Sequence, residues 1–244
     1  MRMIRAFFMA LGMFTAIPCP WRPWDEDARD WMLAALPAVG LVIGLLWAGL
    51  AWLGARLLPG IAAALTVALP WLLTGFIHLD GYMDTCDAML SWRPLEKRLE
   101  ILKDSHTGAY AVVGVVVLAL FCYDAARHGI HDLRALVFVP VISRCGSALA
   151  VLTLRPIGHS QYAGMAGHMP QRMAVAGMWL IGVIICALWL GRPALALLVE
   201  TAAYALAMTW VYRTLKGVSG DVAGFALTVA ECAALVALTI IPNS

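Results

Sequence analysis

Residues 61–87 read IAAALTVALPWLLTGFIHLDGYMDTCD, an apolar run that passes into a segment carrying three carboxylates, Asp80, Asp84 and Asp87, within eight positions. Carboxylates next to hydrocarbon are costly unless they are protonated, paired or bound to a cation. The reading of the apolar run therefore fixes both the fold and the meaning of the acids. Composition settles the run. The 244 residues are 62% apolar and 13% charged, and mean hydropathy is +0.83. Soluble domains are about 45–50% apolar and about 25% charged. The chain reads as an all-α, polytopic transmembrane helical bundle forming a single integral membrane domain over residues 1–244.

A span needs roughly 20 mostly apolar residues. About seven stretches qualify: 33–53, 61–79, 109–126, 134–154, 173–191, 194–212 and 223–242. The N-terminus, MRMIRAFFMALGMFTAIPCP, has the basic start and short apolar core of a signal peptide but no small-x-small cleavage site. It is expected to be retained as an interfacial or re-entrant segment, with the crossing of residues 3–18 left open. No internal repeat is visible. The six cysteines lie scattered in apolar stretches without zinc-like spacing, so they read as reduced core or lipid-facing residues. A net charge of +2 with no basic tract gives no reason to expect nucleic acid. Small-residue faces such as AAALPAVG permit helix packing within one chain or between copies in a homo-oligomer.

Lys and Arg fix the orientation. Arg2, Arg5, Arg22, Arg29, Arg93, Lys97, Arg98, Lys103, Arg155, Arg172, Arg213 and Lys216 fall on one side, and Arg56, Arg127, Arg134 and Arg192 on the other, with Arg144 inside a span. The richer side is expected to be cytoplasmic, and the acidic segment with it. The expected location is the bacterial cytoplasmic (inner) membrane, with the site facing the cytoplasm.

On a helix, positions i, i+4 and i+7 share a face, so Asp80, Asp84 and Asp87 are expected to crowd together. Like charges so placed take up protons or hold a cation. A set of oxygen ligands without nitrogen or sulfur suits Mg²⁺, which binds through few carboxylates, waters and phosphate oxygens. One acid at a membrane boundary is more often a solvated helix end; three on one face favour metal. His78 alone reads equally as a structural hydrogen-bonder or a ligand, and Gly81 lets another helix or a ligand approach the backbone.

Two further segments lie on the same side. Asp104-Ser105-His106-Thr107-Gly108 opens the third span, either as a plain helix cap or as a second contribution to a phosphate and metal site. Gly217, Ser219, Gly220 and Asp221 precede the last span, again as a cap or as a phosphate-binding turn. Within the spans, Arg144 and Glu231 are functional candidates or simply each other's partner.

TGFIHLDGYMDTCDAM followed by LKDSHTGAY resembles the signature of the cobalamin synthase family, whose members read H-L-D-G-x-x-D-T-x-D-G and then R-D-S-x-x-G. FTAIPCP, LPAVGLVIGLL, ISR and GVSGDVAG resemble further family segments in family order, so the resemblance covers nearly the whole chain. It implies a transferase, adenosylcobinamide-GDP ribazoletransferase, that joins α-ribazole or its 5′-phosphate to adenosylcobinamide-GDP, releases GMP and uses Mg²⁺. It further implies Asp80, Asp84 and Asp87 as metal ligands, and Asp84, Asp104 and Asp221 as catalytic residues. His78, Arg144, Ser105 and Gly220 become substrate-binding residues, with Arg144 a phosphate clamp. The chain departs from the pattern at Ala88, at Ala16 and at Thr228, where glycine, arginine and glutamate are expected. The competing readings are a phosphotransferase of the CDP-alcohol type, which shares the metal chemistry, and a cation-coupled transporter, which would place its acids near the bilayer midplane.

Overall fold

The computed structural model describes residues 1–19, 21, 24–158 and 169–242. Pro20 of the FTAIPCP segment and Arg22 of the charge count lie outside them. Eleven α-helices follow in order among the described residues: α1 Arg2–Phe14, α2 Glu26–Arg29, α3 Leu36–Leu57, α4 Ala62–Leu73, α5 Ile77–Leu90, α6 Leu95–Ile101, α7 Ala109–His128, α8 Val139–Thr153, α9 Met169–Leu190, α10 Ala194–Leu215 and α11 Gly220–Ile240. Six segments are long and apolar enough to cross a membrane: Leu33–Leu57, Ala109–His128, Leu133–Thr153, Met169–Leu190, Ala194–Leu215 and Gly220–Ile240. The protein is a polytopic helical bundle.

The expected span over 61–79 is not one straight helix. α4 ends at Leu73, and α5 leaves it at 92°. The cause lies in two successive left-handed residues, Gly75 (φ 60°) and Phe76 (φ 65°). Glycine adopts that region freely, whereas phenylalanine is strained there. The break turns HLDGYMDTCD into a helix of its own. Counting α4 and α5 as one broken span brings the total to seven.

α1 has 13 residues and so reaches about 20 Å at 1.5 Å per residue, short of a hydrocarbon core of about 30 Å. It buries Ala6, Met9, Ala10 and Phe14 and leaves Met3, Ile4 and Met13 exposed, as an interfacial helix does. Its basic start is tied to the α2 region: Arg5 pairs with Asp25, and Arg2 lies 3.8 Å from Asp30. Asp25 also caps α2 by accepting from the amides of Asp27 and Ala28.

The spans pack through small residues. Gly40 and Gly44, one turn apart on α3, lie so close to the backbone at Val137 and Pro140 that a Cβ at either would collide. The Trp47 indole, fully buried, donates to the Thr66 carbonyl at 2.7 Å and joins α3 to α4. α11 is largely buried and lies against α5, α7, α8 and α10. Pro156 and Val218 pair as a short bridge, with Ile157 N donating to Val218 O and Val218 N to Arg155 O, both at 2.9 Å. That bridge fixes the start of α11 beside the end of α8.

Candidate active site

The site forms where α5 crosses the first turn of α11. A Cβ on Gly81 would fall 2.7 Å from Asp221 Cα, and one on Gly224 would fall 3.2 Å from the His78 carbonyl oxygen. Two glycines, one from each helix, thus allow backbone contact. The close approach gathers Asp80 and Asp84 of α5 with Asp221 of α11, so that Asp84 has Asp80, Asp221 and Asp87 as charged neighbours. Ser219 caps α11 by accepting from Val222 N at 3.3 Å, and its hydroxyl also reaches Asp221 Oδ2 at 3.3 Å. Asp80 is exposed, while Asp84 and Asp221 are half-buried.

Asp87 is placed differently from its neighbours. Its side chain is buried, with Oδ2 accepting from Gly108 N at 2.6 Å and Oδ1 from Ala111 N at 2.9 Å. It caps α7 from another helix and meets the positive end of that helix. A Cβ at Gly108 would sit 2.6–2.8 Å from this carboxylate, which explains the glycine in DSHTG. Asp104 and Ser105 stand exposed on the loop just before it. Asp104 Oδ1 accepts from His106 N at 3.0 Å and meets His106 Nδ1 at 2.7 Å. The His106 hydrogen bonds hold the Asp104 carboxyl below its ordinary range.

Behind Asp221 lies a cavity of about 110 Å³ whose lining includes Phe14, His78, Arg144, Ser147, Gly220 and Asp221. Arg144 is 1% exposed. Its Nη1 donates to Glu231 Oε1 at 2.8 Å, to the Pro140 carbonyl at 3.2 Å and to Ser143 Oγ at 3.2 Å, while Ser143 Oγ donates to the same Glu231 oxygen at 2.8 Å. Arg144 Nε and His78 Nε2 are buried and find no hydrogen-bond partner among the described residues. The His78 ring is stacked on Phe14 at 6.5 Å. One side of the guanidinium is thus committed to Glu231, and the remainder borders a cavity shared with an acid and a histidine. An anion is the group that answers such a donor set.

Can these residues hold Mg²⁺? Among the described residues no three His, Cys, Asp or Glu side chains converge as a closed ligand set. Mg²⁺ does not require one, since it keeps several waters and is bound through one or two carboxylates plus substrate phosphates. Among the described residues Asp80 and Asp84 accept no hydrogen bond, and two such carboxylates fit that chemistry.

Ser147 and Phe14 were not singled out by the sequence. Ser147 follows Arg144 by three residues and shares its helix face; Phe14 comes from a helix whose docking no local pattern announces. Glu200, a fully buried acid in ALALLVETAAY, was missed although an acid inside an apolar span is itself the signal.

The family model described as cobalamin-5-phosphate synthase matches residues 6–239. Curated relatives carry the name adenosylcobinamide-GDP ribazoletransferase. The one from Clostridium botulinum (strain Alaska E43 / Type E3) is 34% identical over 247 residues, covering 96% of this chain and 96% of its own. The one from Geotalea daltonii is 35% identical over 249 residues, with 98% of each chain covered. That from Leptothrix cholodnii is 34% identical over 255 residues, covering 94% of this chain and 93% of its own. No solved structure is significantly similar to the chain.

Proposed function

The chain belongs to the cobalamin-5-phosphate synthase family, and from that premise we propose that it is a membrane-embedded transferase joining α-ribazole, or its 5′-phosphate, to adenosylcobinamide-GDP. A ribazole hydroxyl oxygen attacks the phosphorus attached to the cobinamide. A new P–O bond forms, the P–O bond to GMP breaks, and the hydroxyl proton leaves. The product is adenosylcobalamin or its 5′-phosphate.

One observation carries the reading: carboxylates with no cationic partner among the described residues (Asp80, Asp84, Asp221) stand beside a cavity lined by a buried arginine whose Nε has no hydrogen-bond partner there. Acids and a guanidinium so arranged suit a phosphate with its counter-cation. Asp80 and Asp84 would hold Mg²⁺, with Asp221 beside them; Mg²⁺, when bound, neutralises charge developing on the departing GMP. Arg144 and the His78 ring hold the phosphate oxygens at the cavity, and the Gly220 backbone leaves the start of α11 open to them. Asp221 lines the same cavity and is placed to take the hydroxyl proton. Asp87 serves the site by fixing α7 against α5. Asp104 and Ser105 lie on the exposed loop before α7 and do not line the cavity.

The cavity volume sets a limit on the pose. About 110 Å³ admits a phosphate group, whereas pockets that engulf whole ligands run from about 300 Å³. The corrin ring would therefore lie outside the cavity, on the side where the lining residue Gly220 is exposed. The charge asymmetry of the loops supports a site on the cytoplasmic side of the inner membrane.

The test is GMP release by the detergent-purified chain supplied with adenosylcobinamide-GDP, α-ribazole phosphate and Mg²⁺. Metal-dependent release that falls away in Asp84→Asn supports the reading. Absence of release from folded wild type overturns it.

A further inference from the structure

A second cavity, larger than the one behind Asp221, belongs to none of this chemistry. It measures about 310 Å³ and lies along α8 and α10, with Trp179 of α9 at its side. Its walls are mostly apolar. Glu200 lines it, 0% exposed, with neither carboxylate oxygen hydrogen-bonded among the described residues; one turn on, the Tyr204 hydroxyl, in a residue 7% exposed, has no partner among them either. The Ser143 amide lies near Glu200 and the Ser147 hydroxyl near Tyr204, neither in hydrogen-bonding geometry. The cavity extends nine residues along α10 to Thr209, about 14 Å, where Ala205 and Thr209 are exposed among lipid-facing neighbours such as Leu206 and Trp210.

We propose that this cavity is a second binding site, for an amphiphile that enters from the bilayer with a primary ammonium group at the end that reaches Glu200. Charge balance is the first argument. One guanidinium, Arg144, has two buried acids as neighbours, Glu231 and Glu200, and its Nη1 is bonded to Glu231. A buried carboxylate left without a partner is strongly destabilised, and a single positive charge next to Glu200 completes the cluster. The second argument is the lining. Trp179 and Tyr204 offer aromatic rings beside a carboxylate, the combination that holds ammonium groups. The Tyr204 ring is set by Gly146, where a Cβ would fall 2.9 Å from it, and the Trp179 indole is anchored by donating to Thr201 Oγ1 at 3.0 Å. Size is the third. A bare metal ion leaves such an apolar volume empty, whereas an alkyl chain fills it.

The test uses the full chain in phosphatidylcholine nanodiscs and three probes of equal chain length: decylamine, decanol and decanoate. Binding is measured by calorimetry, with empty discs subtracted. Saturable binding of decylamine, at least tenfold tighter than decanol and with no decanoate binding, is expected. Glu200→Gln keeps the shape and should bring decylamine to the level of decanol. Ala205→Trp, which closes the mouth and leaves Glu200 intact, should abolish decylamine binding. Equal affinity for decylamine and decanol in the wild type overturns the proposal and leaves a protonated Glu200 in its place. So does a Glu200→Gln variant that binds decylamine as the wild type does, or the absence of saturable binding above empty discs.

Discussion

Less than one turn of α5 separates Asp84 from Asp87, yet the two acids live in opposite surroundings. Asp87 meets the start of α7, where two backbone amides donate to its oxygens. Asp84 has Asp80 and Asp221 as neighbours and receives no hydrogen bond among the described residues. The residue type is the same; what differs is whether the packed neighbour offers donors or more negative charge. The first arrangement stabilises a fold. The second is destabilising unless the acids take up protons or a cation sits among them.

Substituting each acid in turn separates the two roles. Asp84→Asn is expected to lower GMP release by roughly 10²–10³-fold, the scale of removing one group that stabilises developing charge, with thermal stability unchanged or raised because like-charge repulsion is relieved. Unchanged release would place Asp84 with Asp87 as a structural acid. Gly81→Ala tests the junction itself. A Cβ 2.7 Å from Asp221 Cα must push α5 from α11, at a cost of about 1–3 kcal/mol typical of overpacking, and activity should fall with it. An unaltered melting temperature would show that the helices already have room. Asp87→Ala removes the cap of α7 and should cost about 1–2 kcal/mol, read as a lowered melting temperature. The per-molecule turnover of the folded fraction should stay largely intact. A turnover loss as large as that of Asp84→Asn would erase the distinction between the two acids.

How much of this could be read from the residues alone varies by feature. The bundle was legible because hydropathy over 20 residues is a one-dimensional signal, and six of the spans fall close to their expected bounds. The broken helix was not, since Thr74-Gly75-Phe76 looks like any short polar interruption until the backbone shows two successive left-handed residues. The i, i+4, i+7 spacing correctly put three acids near one another but could not say that α7 would dock its amides on the third. Arg144 and Glu231 were readable as candidates by their cost in a span. Their pairing across 87 positions needed the packing of α8 on α11. The contribution of α1 through Phe14 depended likewise on a tertiary contact that no local pattern encodes.

The smallest expected effect sits at the far edge of the site, where α1 carries Phe14 toward the His78 ring. Arg5 and the amides of Ala28 and Asp27 hold the Asp25 carboxyl below its ordinary value of 3.8, with the Arg5 hydrogen bond the largest cause. A carboxyl whose folded pKa is depressed stabilises the folded state fully above its unfolded pKa and loses that contribution as pH falls through the folded value. The tie between α1 and α2 should therefore be constant above about pH 5 and weaken below 3.8. The pair is solvent-facing, so the change is small. Hydrogen exchange of α1 amides, corrected for intrinsic rates, should show less protection at pH 3 than at pH 6, and Arg5→Gln should remove most of the difference. If protection is pH-independent in the wild type, α1 is held by Ala6, Met9 and Ala10 alone. α1 would then resemble Asp87, fixed by packing, rather than Asp84, whose state depends on charge.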